Sequence, residues 1–215
     1  MSVKERIARR VAQELHDGDV VNLGIGLPTM VSDYVPDDVT ICLQSENGIL
    51  GMGPVPTQDS YDRNLVNAGG KPVTVEAGAC YFDSIMSFTI IRGGHVDTTV
   101  LGALEVDRHG NLASHIIPGK RVPGMGGAMD LVTGSKRVII AMTHVAKDGS
   151  PKIRKDITLP ATARGKVHQI ITELAVIEVT KEGLVLKEIA EETSIEEVVE
   201  KTEAPLLIPE VIGKF

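Results

Sequence analysis

Of the side chains in this sequence that could act on a substrate, Glu46 has the most telling surroundings. It follows the run Val39-Thr40-Ile41-Cys42-Leu43-Gln44 and precedes Asn47-Gly48, so it stands where a strand gives way to a turn. A carboxylate in such a place has two chemical uses. It can attack an acyl carbon if it is partly desolvated and if N–H donors stabilise the oxyanion that develops. It can also take a proton from water as a general base. A plain turn with a solvated glutamate fits the same five residues, so the local pattern leaves all three readings open.

Other nucleophiles lack comparable surroundings. The sequence holds no GxSxG and no HExxH, and its two cysteines, Cys42 and Cys80, are not in CxxC spacing; they read as reduced core residues. His95, His109 and His115 show no metal-ligand spacing, and no metal is expected. Two glycine-rich stretches remain. In Asn22-Leu23-Gly24-Ile25-Gly26-Leu27-Pro28 the dinucleotide fingerprint fails, because Thr29 takes the third small position and Pro28 alters the turn. Residues 118–132, PGKRVPGMGGAMDLV, fit neither that fingerprint nor a phosphate-binding P-loop. Their glycines would still let a ligand lie close against backbone N–H donors.

The elements between these residues have to place them. Val3, Ile7, Ala8, Val11, Ala12 and Leu15 recur at helical spacing and predict an amphipathic helix over 3–16. Residues 20–25 read as a buried strand that turns into a short helix over 28–34, and 39–44 as a strand with Val39, Ile41 and Leu43 facing inward. Residues 47–72, rich in Gly, Pro, Asp and Asn, read as a long loop over the site; Lys71 at its far end is a cation available to a carboxylate or a phosphate. A strand at 73–79 and a helix over 82–91, stopped by Gly93-Gly94, come next. Then 97–106 and the LASHII segment read as a hairpin around DRHGN. After a short helix ending near Gly134, the pattern gives a strand over 137–146, a turn at 147–150, a hairpin within 173–190 and a helix over 195–203 capped by Ser194. The apolar tail is expected to pack along a surface, its own or that of another subunit.

Composition narrows the class. At 215 residues and 42% apolar content the chain reads as one domain over 1–215, and its net charge of −7 with only 3% aromatics argues against a nucleic-acid partner. The N-terminal residues mix charges at every turn, unlike a signal peptide, and the longest apolar runs, such as 138–142, are far short of a membrane span. A soluble, cytoplasmic protein is the expectation.

Three segments taken together carry a more specific message: SENGILGMGP at 45–54, GMGGAMDL at 124–131 and NLGIGLP at 22–28. In order and spacing, from about residue 5 to about residue 205, the sequence resembles the beta subunit, or C-terminal half, of the family I coenzyme A transferases, in which SENG marks the glutamate nucleophile. The resemblance implies a layered α/β/α domain with a mostly parallel, partly mixed sheet, of the CoA-transferase and ribose-5-phosphate-isomerase-like kind. It implies that Glu46 carries CoA as a glutamyl thioester, that Asn22 contacts CoA, and that Gly124, Gly127 and Ala128 lie against the thioester and pantetheine arm. It also raises Lys71 as a substrate contact.

The coenzyme A thioester would be a substrate, with no further cofactor. The implied partner is an alpha subunit, in a heterodimer or heterotetramer, and the implied substrates are a short-chain acyl-CoA and a carboxylic or 3-oxo acid. An acyl-CoA hydrolase using the same glutamate as a base, or a non-catalytic ligand-binding domain, would share the fold. Two departures bear on the acyl group. Ser114-His115 stands where relatives commonly have Asn-Trp, and residues 158–166 are one longer than usual.

Overall fold

The computed structural model describes residues 1–120 and 124–215; Arg121, Val122 and Pro123 of the glycine-rich stretch lie outside the described residues. Helix α1 (Val3–Ala12) starts at a reciprocal capping box in which Ser2 accepts the Glu5 N–H and Glu5 accepts the Ser2 N–H. It stops short of its expected end, although Leu15 beyond it is still buried. Strand β1 (Val20–Leu23) leads into Pro28–Tyr34, which winds as a 3-10 helix over the residues expected. Next come β2 (Cys42–Ser45), β3 (Ile49–Met52), β4 (Val75–Tyr81), α2 (Ser84–Arg92), β5 (Thr98–Leu101), β6 (Glu105–Asp107) and β7 (Leu112–Ala113). Helix α3 (Ala128–Gly134), β8 (Arg137–Ala141), β9 (Ile153–Arg154), β10 (Gln169–Ile171), β11 (Ala175–Val179), β12 (Leu184–Ile189), α4 (Ile195–Glu200), β13 (Leu206–Leu207) and β14 (Gly213–Lys214) complete the chain.

The large sheet runs β13-β12-β11-β10-β8-β5-β1-β2-β3-β4, with β14 also on β12. Its centre, from β10 through β8, β5 and β1 to β2, is parallel, and antiparallel pairs extend it on both sides. One face packs against α1 and the 3-10 helix through Ile7, Val11, Val21, Val31 and Ile139. The other is covered by α2, α3, α4 and a small sheet of β7, β6 and β9, with Ile91, Leu131, Val106, Ile153 and Val198 among the buried residues. The layered α/β/α arrangement follows from this, with the small sheet as an addition. Because β2 and β5 flank β1 on opposite sides, the chain leaves β1 and β5 in opposite directions, and their carboxyl ends open a crevice between them.

Several expectations are corrected. Residues 97–106 are not one strand: the chain breaks at Gly102-Ala103-Leu104, so that β5 joins the large sheet and β6 pairs with β7 in the small one. The loop expected over 47–72 begins with β3, whose Gly51 takes φ +87 at an irregular register with β4. Cys80 is exposed on β4 and not a core residue, and both cysteines are free. Gln44, read as facing outward, is 1% exposed because α2 covers that face of β2. The tail packs on its own sheet through β13 and β14, at the edge opposite the Glu46 hairpin.

Candidate active site

At the carboxyl ends of β1, β2 and β5 lies a crevice of about 450 Å³. Gly24 and Ile25 follow β1, Glu46 follows β2, and Gly102, Ala103 and Leu104 follow β5; Gly124 to Ala128 close the far wall. Glu46 sits at the turn of the β2–β3 hairpin, where the Gly48 N–H donates to the Ser45 carbonyl at 2.9 Å. Only glycine fits at 48. Its φ is +115, and a Cβ there would lie 1.9 Å from the Phe82 carbonyl oxygen.

The residues around Glu46 are committed to holding it in place. Gln44 accepts the Asn22 Nδ2–H at 2.7 Å through Oε1 and donates from Nε2 to Ser87 Oγ at 3.0 Å, tying β2 to β1 and α2 in a buried network. Ser45 Oγ accepts the Ala68 N–H at 3.1 Å, and Asn47 Nδ2 donates to the Val66 carbonyl at 2.8 Å. Both bonds fasten the loop over 53–74 to the hairpin. Of the four residues in Gln-Ser-Glu-Asn, Gln44, Ser45 and Glu46 line the crevice, and the glutamate is the one whose side chain takes no part in these bonds.

Glu46 is half-buried and accepts one hydrogen bond from the described residues, from the Gly127 N–H to Oε1 at 3.2 Å. Gly127 is the residue before α3, and a Cβ on it would lie 2.6 Å from Glu46 Oε2. The carboxylate and the glycine backbone therefore touch, and a methyl group between them would displace the acid. An acyl carbon brought to Glu46 would meet a carboxylate most of whose lone pairs are not engaged by the described residues.

The structure brings most of the residues singled out in the sequence to this crevice. Gly124, Gly127 and Ala128 line it. Asn22 lines it too but is 4% exposed, and its Nδ2 is spent on Gln44, whose backbone carbonyl and Oε1 both accept from it. Lys71 is not brought in: it is exposed on a turn whose Asn67, Ala68 and Gly69 do line the crevice. Among the described residues no group of three His, Cys, Asp or Glu side chains is placed to hold a metal ion, and no helix is long and apolar enough to cross a membrane.

Sequence reasoning missed Ser87 and Thr162. Ser87 lies on α2 in an apolar run and gave no signal of its own. Thr162 belongs to the segment 158–166, and its hydroxyl meets Ser114 and His115, which line the crevice. Residues 114–115 and the segment 158–166 thus meet at one side chain.

An α/β sheet with a half-buried carboxylate and a glycine backbone at its switch point is a site where either attack on an acyl carbon or activation of water is chemically available. The family model for coenzyme A transferase matches residues 4–201. The chain is 60% identical over 204 residues to the beta subunit of the acetate CoA-transferase of Escherichia coli K12, covering 95% of this chain and 93% of that one. To the human mitochondrial succinyl-CoA:3-ketoacid coenzyme A transferase 2 it is 48% identical over 201 residues, covering 93% of this chain and 39% of that longer one. The acyl-CoA transferase YdiF of E. coli O157:H7 shares the fold, with a TM-score of 0.79 at 24% identity; the match covers all of this chain but 43% of that one. The chain belongs to the coenzyme A transferase family, as the beta subunit of a CoA-transferase enzyme.

Proposed function

We propose that this chain transfers CoA from a short-chain acyl-CoA to a carboxylic or 3-oxo acid through a glutamyl-CoA thioester on Glu46. The observation that carries the reading is the half-buried Glu46 carboxylate, which accepts one hydrogen bond from the described residues, from the Gly127 N–H. A Glu46 oxygen attacks the thioester carbon, and the C–S bond breaks with its electron pair leaving on sulfur as the CoA thiolate. The thiolate attacks the glutamyl carbonyl of the resulting anhydride and expels the first acid as its carboxylate. The second acid then attacks the glutamyl thioester, releasing thiolate, which attacks the new acyl carbonyl and returns Glu46 to its free form. Gly124, Gly127 and Ala128 give the thioester and pantetheine arm a wall without side-chain bulk. Asn22, which lines the crevice, supports the reaction by holding Gln44. Lys71, on the exposed turn at the mouth, is available to the CoA phosphates.

Water would hydrolyse both the anhydride and the glutamyl thioester, so the crevice has to be covered during turnover. The E. coli relative carries the name of a beta subunit, and the cover in this reading is an alpha subunit, in a heterodimer or heterotetramer. Ile25, Tyr81, Ile85, Met86 and Met129 are exposed apolar residues on elements that line or adjoin the crevice, a surface suited to such a partner. The tail is at the other edge of the sheet and is not part of it. The chain acts as one domain over 1–215, in the cytoplasm, with coenzyme A entering as a substrate and no further cofactor.

The test is the reaction of the assembled enzyme with acyl-CoA alone. The expected product is a mass increase equal to CoA, less water, on the peptide containing Glu46. Hydrolysis without an adduct would identify Glu46 as a base instead.

A further inference from the structure

Two titratable side chains line the crevice among the described residues, Glu46 and His115. Among the described residues His115 is anchored through one nitrogen. Its Nδ1 lies 3.1 Å from Thr162 Oγ1, which also accepts the Ser114 N–H at 3.1 Å and lies 2.8 Å from Ser114 Oγ. A hydroxyl has one proton and two lone pairs, so three contacts saturate it. Thr162 is 4% exposed, and its own N–H donates to the Leu112 carbonyl at 2.6 Å, which fixes the hydroxyl to the end of the small sheet. The imidazole is therefore held in one orientation by a group that has nothing left to give a substrate. Its Nε2 takes no hydrogen bond from a described residue.

The lining that His115 shares includes the apolar residues Leu101, Ala103, Leu104 and Leu131. The crevice thus offers a carboxylate for the reacting carbon, apolar residues for a short chain, and an imidazole anchored on Thr162. Within its roughly 450 Å³, that combination matches a short acyl group with a second oxygen. A simple alkyl acid would fill the walls and leave Nε2 without a partner.

We propose that Ser114, His115 and Thr162 form a specificity unit, in which His115 Nε2 hydrogen-bonds an acyl oxygen beyond the reacting carbonyl and so favours 3-oxo acids over alkyl acids of equal length. The inference rests on the Glu46 reading and deepens it.

The test uses the assembled enzyme with its alpha subunit and compares kcat/KM for 3-oxobutanoate and butanoate, with one acyl-CoA donor. In His115→Phe, which keeps a ring but no nitrogen, the ratio in favour of the 3-oxo acid should fall about tenfold or more. Thr162→Val should lower the same ratio by a smaller factor, mainly through KM, and Thr162→Ser should restore it. Equal losses for both acids would overturn the proposal and place the imidazole against CoA or in the fold. A wild-type enzyme with no preference for the 3-oxo acid would overturn it as well. The CoA adduct on the Glu46 peptide separates the two failures: if it forms in wild type and His115→Phe alike while the ratio does not move, the specificity unit is wrong and the mechanism stands. If it does not form in wild type, the mechanism is wrong.

Discussion

Glu46 and Glu105 both stand where a strand of this fold meets a loop, and they are used in opposite ways. Glu105 is 5% exposed and accepts from the Thr158 N–H at 2.7 Å, Thr158 Oγ1 at 2.8 Å, the Leu159 N–H at 3.1 Å and Arg154 Nε at 3.3 Å. Its lone pairs organise the loop after β9 and are not available to anything else. Glu46 accepts one backbone N–H from the described residues, at 3.2 Å, while its neighbours Gln44, Ser45 and Asn47 make the structural bonds around it. A carboxylate saturated with donors can only brace the fold, whereas one held by the backbone beneath it and left nearly free is available for the reaction proposed above. The histidines repeat the contrast. His144 is fully buried with both ring nitrogens at hydroxyls, Thr172 at 2.9 Å and Thr202 at 2.8 Å, while among the described residues His115 is bonded through Nδ1 alone.

The largest effect that would test this contrast is on catalysis. Glu46→Gln should lower transfer by on the order of 10⁴ or more while thermal unfolding stays within about 2 °C of wild type. A large drop in melting temperature would make Glu46 a brace as well. Glu105→Gln is the reverse experiment. An amide turns donors toward donors, and denaturant unfolding should show a loss of about 2–4 kcal/mol, with transfer per folded molecule little changed. An inactive but fully stable Glu105→Gln enzyme would erase the distinction.

The histidine contrast gives a pH prediction. Burial, then the positive charge of Lys201, push the pKa of His144 down to about 4. A base with a depressed folded pKa stabilises the fold above its unfolded value near 6.5, and that contribution is lost as pH falls through about 4. Denaturant unfolding between pH 7 and 4 should therefore show a decline to which His144 contributes about 3 kcal/mol. His144→Asn should flatten that part of the curve, and an unchanged slope would count against it. The smallest expected effect is that of Gly127→Ala, whose Cβ would fall 2.6 Å from Glu46 Oε2. It should cost about tenfold to a hundredfold in kcat by displacing the carboxylate, with the fold intact. Undiminished kcat would mean that Glu46 does not react from the position seen beside Gly127.

Much of this was legible in the sequence because local chemistry decided it. Helix α2 starts at Asp83, whose Oδ1 accepts the Met86 N–H at 2.8 Å, and the 3-10 helix starts at Pro28, both as the capping and proline rules predict. Glu46 stood out because a strand, an Asn-Gly turn and a glycine-rich continuation coincide there. What escaped was set by partners distant in sequence. Nothing local shows that Gln44 faces Ser87, because period-two alternation assigns it to the outside and only the arrival of α2 buries it. The break between β5 and β6 was hidden because both halves alternate well. Gly102 to Leu104 separate them by position in space, one strand in each sheet. Thr162 could be found only once β7 and the segment after β9 were seen to meet.

Strand β4 ends the large sheet on the side of the Glu46 hairpin, and most of its residues from Glu76 to Tyr81 are exposed. Its outer rim of N–H and C=O groups is a template on which another strand can add, one copy of the chain to the next. The far edge is finished by two short strands, β13 and β14; this one is longer, and its defences are Glu76 and the φ of +88 at Gly78. Newly made protein waiting for a partner is exposed to self-association along that rim, so the soluble yield of this polypeptide should depend on what is synthesised beside it.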